Sequence, residues 1–195
     1  MNANVGMQYP VFAPVDTYTP GTSITYEAGI VIAEAVSASI NWERADGSFY
    51  GDDILLDSDN GVLGYTIDFE PSGLSDAARA ALLGEVSSGT GSEYSITEDA
   101  SPDGGFGYIR VMRSNAGGTV AYSYEGWWYH KLKFGVSSEE TRTKERGTEW
   151  RVPTLNGVGA GVSLDNTGKM SFAVHKTFDT LAAAKTWLKG KAGIT

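Results

Sequence analysis

The chain has 195 residues, 41% of them hydrophobic, which suits one domain with a sizeable core and leaves too little chain for two comfortable ones. It contains no cysteine, so disulfides, thiolate metal sites and a cysteine nucleophile are excluded. The formal net charge of −9 argues against adhesion to DNA phosphates or anionic lipid, where Lys and Arg must displace counterions; twenty-five glycines and ten tyrosines favour a β-rich architecture.

The opening MNANVGMQYPVFAP lacks a basic patch followed by an apolar run of signal-peptide length, and no other stretch is apolar for long enough to span a bilayer. The expectation is a protein made in a cytoplasm. Residues 1–29, with Pro10, Pro14 and Pro20 among several turn formers, read as an extended arm rather than a regular element. From Ile30 to Glu43 the pattern alternates: Ile30, Ile32, Val36, Ala38, Ile40 and Trp42 share one face, while Ser37, Ser39, Asn41 and Glu43 share the other. Glu34 falls on the apolar face, so a bulge or strand end is expected near it. A second strand runs from Val62 to Glu70, with Leu63, Tyr65, Ile67 and Phe69 opposed to Thr66, Asp68 and Glu70. If the two pair as a hairpin, residues 44–61 form its connection, far longer than the two to five residues that a hairpin needs.

After Pro71, LSDAARAALLGE predicts a helix with Ser75 as N-cap, Asp76 in the first turn, Gly84 as the stop and an apolar stripe of Ala78, Ala81 and Leu82. Residues 87–105 read as loop with a short strand around Tyr94 to Thr97. A meander follows: FGYIRVMR, the turn SNAGG, TVAYSYE and WWYHKLKF. In the last of these, strand alternation puts Trp127 and Tyr129 on one face and Trp128, His130, Leu132 and Phe134 on the other. Residues 137–149 read as a solvated loop, and strands are expected around Trp150 to Pro153 and Gly161 to Leu164. KMSFAVHKTF predicts the last strand, and DTLAAAKTWLKG a closing helix over 179–189, capped by Asp179 or Thr180 and anchored by Leu181, Ala184, Trp187 and Leu188.

Motifs for chemistry fail on spacing. A calcium loop starting at Asp57 would place Val62 where the sharp turn needs Gly, and Asp68 where a bidentate Glu belongs. There is no G-x-S-x-G, and His130 and His175 have no ligand-type spacing. GVGAG at 157–161 lacks the third glycine of a dinucleotide fingerprint and reads as a glycine-rich bend. The acidic pairs Asp52–Asp53 and Glu139–Glu140 are sequence neighbours in loops, which rarely form a glycosidase dyad. No enzyme activity, metal or cofactor is expected. The WWY run suggests either core, a contact with another chain, or a sugar-stacking platform.

Several segments together resemble a known family. YPVFAPV, GIVIAEAVSASINWER with the loop SFYGDDILLDSDNG, LSDAARAALLG, FGYIRVMR, YEGWWYHKLKF, TKERGTEWRVPTL and FDTLAAAKTWL follow one another as in the major tail protein, or tail tube protein, of long-tailed non-contractile bacteriophages. The resemblance, over roughly residues 7 to 189, implies a single mainly β domain over 1–195: an antiparallel β-sandwich or barrel with one or two short flanking helices and a long hairpin loop. It implies a virion protein, made in the host cytoplasm, whose rings, hexameric in relatives, stack into a hollow tube that DNA transits without specific binding. Tape measure, tail-tip and tail-terminator proteins are the implied partners, with no membrane. The loop residues Phe49, Tyr50, Asp52, Asp53, Ile54, Leu55 and Leu56 become the inter-ring contact, joined by Tyr9, Val11 and Phe12 of the arm. Glu43, Asp68 and Glu70, on the polar hairpin face, become lumen-facing acids that keep DNA from sticking to the wall; screening limits them to about 8 Å. The alternative function is an extracellular carbohydrate-binding β-sandwich module using Trp127, Tyr129 and a calcium loop at Asp57 and Asp59.

Overall fold

A computed structural model describes residues 2–51, 54–87, 93–96, 101–116, 119–138, 152–165 and 167–195. Along the chain come β1 (Asn2–Thr19), β2 (Ser23–Tyr26), β3 (Ile30–Val31), β4 (Ala35–Arg44), β5 (Gly47–Gly51), β6 (Ile54–Asp59), β7 (Val62–Pro71), α1 (Asp76–Leu83), β8 (Val86–Ser87) and β9 (Tyr94–Ser95). The second half holds β10 (Gly104–Ala116), β11 (Thr119–Ser138), β12 (Thr154–Ala160), β13 (Val162–Ser163), β14 (Met170–Ser171), β15 (Ala173–Phe178) and α2 (Leu181–Ala192). The protein is mainly β, dominated by one antiparallel sheet in the order β2-β1-β10-β11-β12-β7-β4, with β15 on β11 and β3 on β1. Residues 30–44 bridge the two ends of that order, since β3 pairs with β1 while β4 pairs with β7. The sheet therefore curls around its contents, and Phe69 of β7 meets Phe106 of β10 at 5.2 Å between ring centroids.

Two apolar clusters use the two faces of β1, β10 and β11. Inside the curl, Phe12, Tyr65, Ile67, Phe69, Phe106, Tyr129, Leu132 and Phe134 pack with Ala78 and Leu82 of α1. Outside it, Val11, Ala13, Ile109 and Trp128 pack under Ala184, Leu188 and Ala192 of α2.

Over most of the first hairpin the expected polar and apolar faces are present: Ile40 lies opposite Ile67 and Ala38 opposite Phe69, while Ser39 faces Asp68 and Ser37 faces Glu70. Leu63, expected on the apolar face, is 61% exposed where the pairing shifts between Glu43 and Arg44. The irregularity expected near Glu34 is a break between β3 and β4 followed by a register shift between Ala35 and Ser37. That shift turns Val36 out to 57% exposure, against its expected place on the apolar face.

Helix α1 has the expected ends: Ser75 Oγ accepts from Ala78 N at 3.2 Å, and Gly84 takes the left-handed conformation at φ 72°. For α2 the cap is Thr180, whose Oγ1 accepts from Ala183 N at 3.3 Å. The helix runs through Gly190 to Ala192, past the expected stop, because Ala192 is buried and Gly193 at φ 63° supplies the left-handed end. Replacing Thr180 with alanine is expected to cost about 1 kcal/mol and lower the melting temperature by roughly 2–4 °C, with Asp179→Ala near neutral. Equal losses in thermal melts of the two variants would remove Thr180 as the cap.

Four other expectations are corrected. Residues 2–19 are a strand rather than an irregular arm, paired with β10 along most of their length. TVAYSYE and WWYHKLKF are one strand, β11, running through Gly126, where a Cβ would meet the Trp187 ring at 2.7 Å. GVGAG is not a bend. Gly157 and Gly159 lie in β12, where a Cβ on Gly159 would collide with the Tyr65 ring and one on Gly157 would meet Leu132 and Phe134 at 2.9 Å. Finally, Leu132 and Phe134 join the cluster of Tyr129, not that of Trp128. The register shift between Gly104–Leu132 and Phe106–Tyr129 exchanges the faces across His130 and Lys131. Of the strand expected at 150–153, Trp150 and Arg151 lie outside the described residues while Val152 and Pro153 are not strand, β12 starting at Thr154. Of the expected 137–149 loop, 137–138 continue β11 and the rest lies outside the described residues.

Candidate functional site

Residues 44–61 are not an irregular loop. Beyond Arg44, paired with Val62, the chain continues as β5 and β6, with Ala45 N donating to Gly61 O at 2.8 Å and Gly47 opposite Asp59. Phe49 pairs with Asp57, Tyr50 with Leu55 and Gly51 with Ile54, so Leu56 is the extra residue of a bulge. Asp52 and Asp53 lie outside the described residues. Among the described residues, β5 and β6 pair only with each other. Eight residues from Arg44 to Gly51 at ~3.3 Å each carry this two-stranded ribbon roughly 20–25 Å from the β4–β7 pair.

The proposed lumen acids share one solvated face. Asp68 and Glu70 stand opposite Ser39 and Ser37, and Glu43 stands opposite Gly64. Across β12 the same face continues through Asn156, Val158 and Ala160, and across β11 through Lys133 and Gly135. Its carboxylates are tied down: Asp68 accepts from Asn156 Nδ2 at 2.7 Å, and Glu70 accepts from Ser37 Oγ at 2.8 Å. The face is not purely acidic, because Lys131 and Lys133 converge on Asp103 at 3.3 and 3.9 Å. Small side chains dominate it, so the surface is shallow and wet.

The arm residues do not lie free for a partner. Val11 and Phe12 are fully buried and belong to opposite clusters, because a strand buried on both faces sends successive side chains into each. Tyr9 is half-buried at φ 58°, the left-handed region, where the pairing with β10 shifts between Gln8 and Val11; Lys185 Nζ sits 4.9 Å from its ring centroid. All three hold the domain together.

A ladder of flat groups crosses β10, β11 and β15, and sequence periodicity could not have found it because it depends on cross-strand register. Tyr108 and His175 flank Trp127 from the strands on either side. The His175 ring stacks on the indole at 4.5 Å and 14°, and the Arg110 guanidinium lies 4.5 Å from its centroid while donating to Tyr108 Oη at 3.0 Å. Trp127 Nε1 donates to Glu125 at 3.3 Å. A sugar platform needs an open ring face, and this indole has protein groups against it from both neighbouring strands.

His130 marks the point where β11 exchanges β15 for β12 as its neighbour. It is 6% exposed; its N–H donates to Phe172 O at 3.1 Å and its carbonyl accepts from Tyr26 Oη at 2.9 Å. Burial, with a smaller effect of Lys191, pushes the imidazole pKa down to about 4. The unfolded chain, with an ordinary histidine near 6.5, binds the proton that the folded chain refuses, so this contribution is complete above pH 6.5 and lost as pH falls toward 4. Between pH 7 and pH 5 the loss is about 2 kcal/mol, or roughly 4–8 °C in melting temperature. Thermal melts at the two pH values should show this drop in the native protein and a smaller one in His130→Gln; an equal drop in both would remove His130 as its source.

Among the described residues, no group of three or more His, Asp or Glu is placed to hold a metal, and no helix is long and apolar enough to cross a membrane. Compared with protein-family models and with curated proteins, the sequence matches none of either.

Proposed function

We propose that this chain is a structural subunit that polymerises into stacked rings, building a hollow tube of the kind made by the tail tube proteins of long-tailed non-contractile bacteriophages. The observation that carries this reading is the β5–β6 ribbon. An isolated two-stranded hairpin is marginal in water, so a ribbon paired only with itself calls for a surface on another molecule. The wet face of small polar groups around Glu43, Asp68 and Glu70 suits the wall of a channel: its carboxylates repel passing phosphates at short range, and its two lysines are engaged by Asp103. In this reading the curled sheet contributes to a barrel around the lumen, and the tape measure, tail-tip and terminator proteins are its partners in a virion.

Negative-stain microscopy of the purified protein at increasing concentration tests it. Rings or tubes are the expected result. A monomer that persists at every concentration, with tail-tip proteins added, would overturn the reading.

A further inference from the structure

The last thirty residues hold five lysines, Lys169, Lys176, Lys185, Lys189 and Lys191, against Asp179 alone, in a chain whose net charge is −9. They form a net +4 segment on a −13 remainder. Helix α2 contains no acidic residue. Among the described residues, Lys176, Lys185, Lys189 and Lys191 make no ion pair, whereas Lys131, Lys133 and Arg79 each have a carboxylate. Three of the four are laid over rings: Lys176 over Phe178 at 5.5 Å, Lys185 over Tyr9 at 4.9 Å and Lys191 over Trp187 at 5.7 Å. Such stacking holds the stems in place while the ammonium groups stay available at the surface. Complementing the carbonyl end of the helix accounts for Lys189 and Lys191, but not for Lys185 in its middle or Lys176 on a strand.

The opposite charge is concentrated elsewhere. Between Ala45 and Gly61 the sequence has five aspartates, Asp46, Asp52, Asp53, Asp57 and Asp59, and neither lysine nor arginine. This is the stretch of the β5–β6 ribbon. It leaves the sheet from the β4–β7 pair at one end of the strand order, whereas α2 packs on β1, β10, β11 and β15. A cationic face and an anionic arm on different surfaces of one chain make a head-to-tail contact that repeats from copy to copy, as a self-complementary patch does not.

We propose that the surface of α2, flanked by Lys185 beside Tyr9 and by Lys176 and Lys191 beside Phe178 and Trp187, is the receptor for the aspartate-rich hairpin of a second copy of this chain. The inference rests on the self-assembly reading and adds where the arm lands. Charge sets the register and the encounter rate of this contact, so assembly weakens as salt is raised.

Two full-length variants test it. One carries Lys176→Glu, Lys185→Glu, Lys189→Glu and Lys191→Glu; the other carries Asp46→Lys, Asp57→Lys and Asp59→Lys. Each alone should need at least about tenfold more protein to sediment as polymer, and an equimolar mixture should recover it, because each arm then meets a face of opposite charge. A merely structural role for the lysines would give loss without recovery and overturn the pairing. A lysine variant that polymerises as the native chain does would sink the receptor while leaving the tube reading intact. A native chain that never polymerises would sink both, and lysine-dependent binding of duplex DNA or anionic vesicles by a monomeric native chain would assign the face to a different partner.

Discussion

Replacing residues 46–60 with Asn-Gly, so that a two-residue turn joins Ala45 to Gly61, is expected to leave a folded monomer that no longer assembles. Folding should survive because, among the described residues, β5 and β6 form a two-stranded sheet of their own and supply no strand to the large sheet. The splice point is already closed by the Ala45 N to Gly61 O hydrogen bond at 2.8 Å, and Asn-Gly supplies the positive φ angles of a two-residue hairpin turn. The melting temperature should therefore stay within about 4 °C of the native value. Assembly should be lost altogether, since among the described residues the ribbon pairs with itself alone and is the part proposed to reach another copy. Sedimentation and circular dichroism on the same sample read the two outcomes separately. Truncated protein that still builds tubes would show that the ribbon is not the contact.

Trp128→Ala should have the largest effect on stability. The indole is fully buried between β11 and α2, stands edge-on to Tyr26 at 5.1 Å and 88°, and donates to Tyr26 Oη at 3.3 Å. Tyr26 in turn donates to the His130 carbonyl at 2.9 Å, and burial of its hydroxyl pushes the phenol pKa up to about 12. Removing the indole leaves a cavity against Leu188 and a phenol that has lost one of its partners, a loss of about 3–5 kcal/mol. Against a typical total of about 5–15 kcal/mol, that moves the melting temperature down by roughly 6–20 °C. Tyr26→Phe keeps the ring and removes only the hydroxyl, so it should lose about 1 kcal/mol. If the two variants melt together, the indole is not the anchor of the α2 layer.

The parts of this fold legible in the sequence are those whose period and partner lie close together. The two faces of β4 and β7 show as alternation because one side is core and the other water, and α1 shows through Ser75 and Gly84 at its ends. β1 was hidden because its centre is buried on both faces: without alternation, Val11-Phe12-Ala13 gives no strand period, and Pro10 and Pro14 suggest an arm. β12 was hidden because its core positions are glycines, chosen for the Tyr65, Leu132 and Phe134 rings and side chains above them rather than for strand propensity. The ribbon was hidden by aspartates and glycines, which local chemistry reads as turn. Of the candidate site, the acidic face was legible; the burial of Val11 and Phe12 and the stack on Trp127 depend on register across distant strands.

Burial of the centre of β1 on both faces has a consequence for biosynthesis. Ala13 pairs with Gly105 and Phe12 with Phe106, partners about 90 residues later in the chain. At a synthesis rate of about 5–20 residues per second, the first strand waits roughly 5–20 s before its neighbour exists. During that interval Val11 and Phe12, fully buried in the fold, have no neighbouring strand from β10 to cover them, and sheet formation must close a long loop before it gains their burial. Folding of this protein is therefore slow and late, and its first strand is the segment most in need of a chaperone.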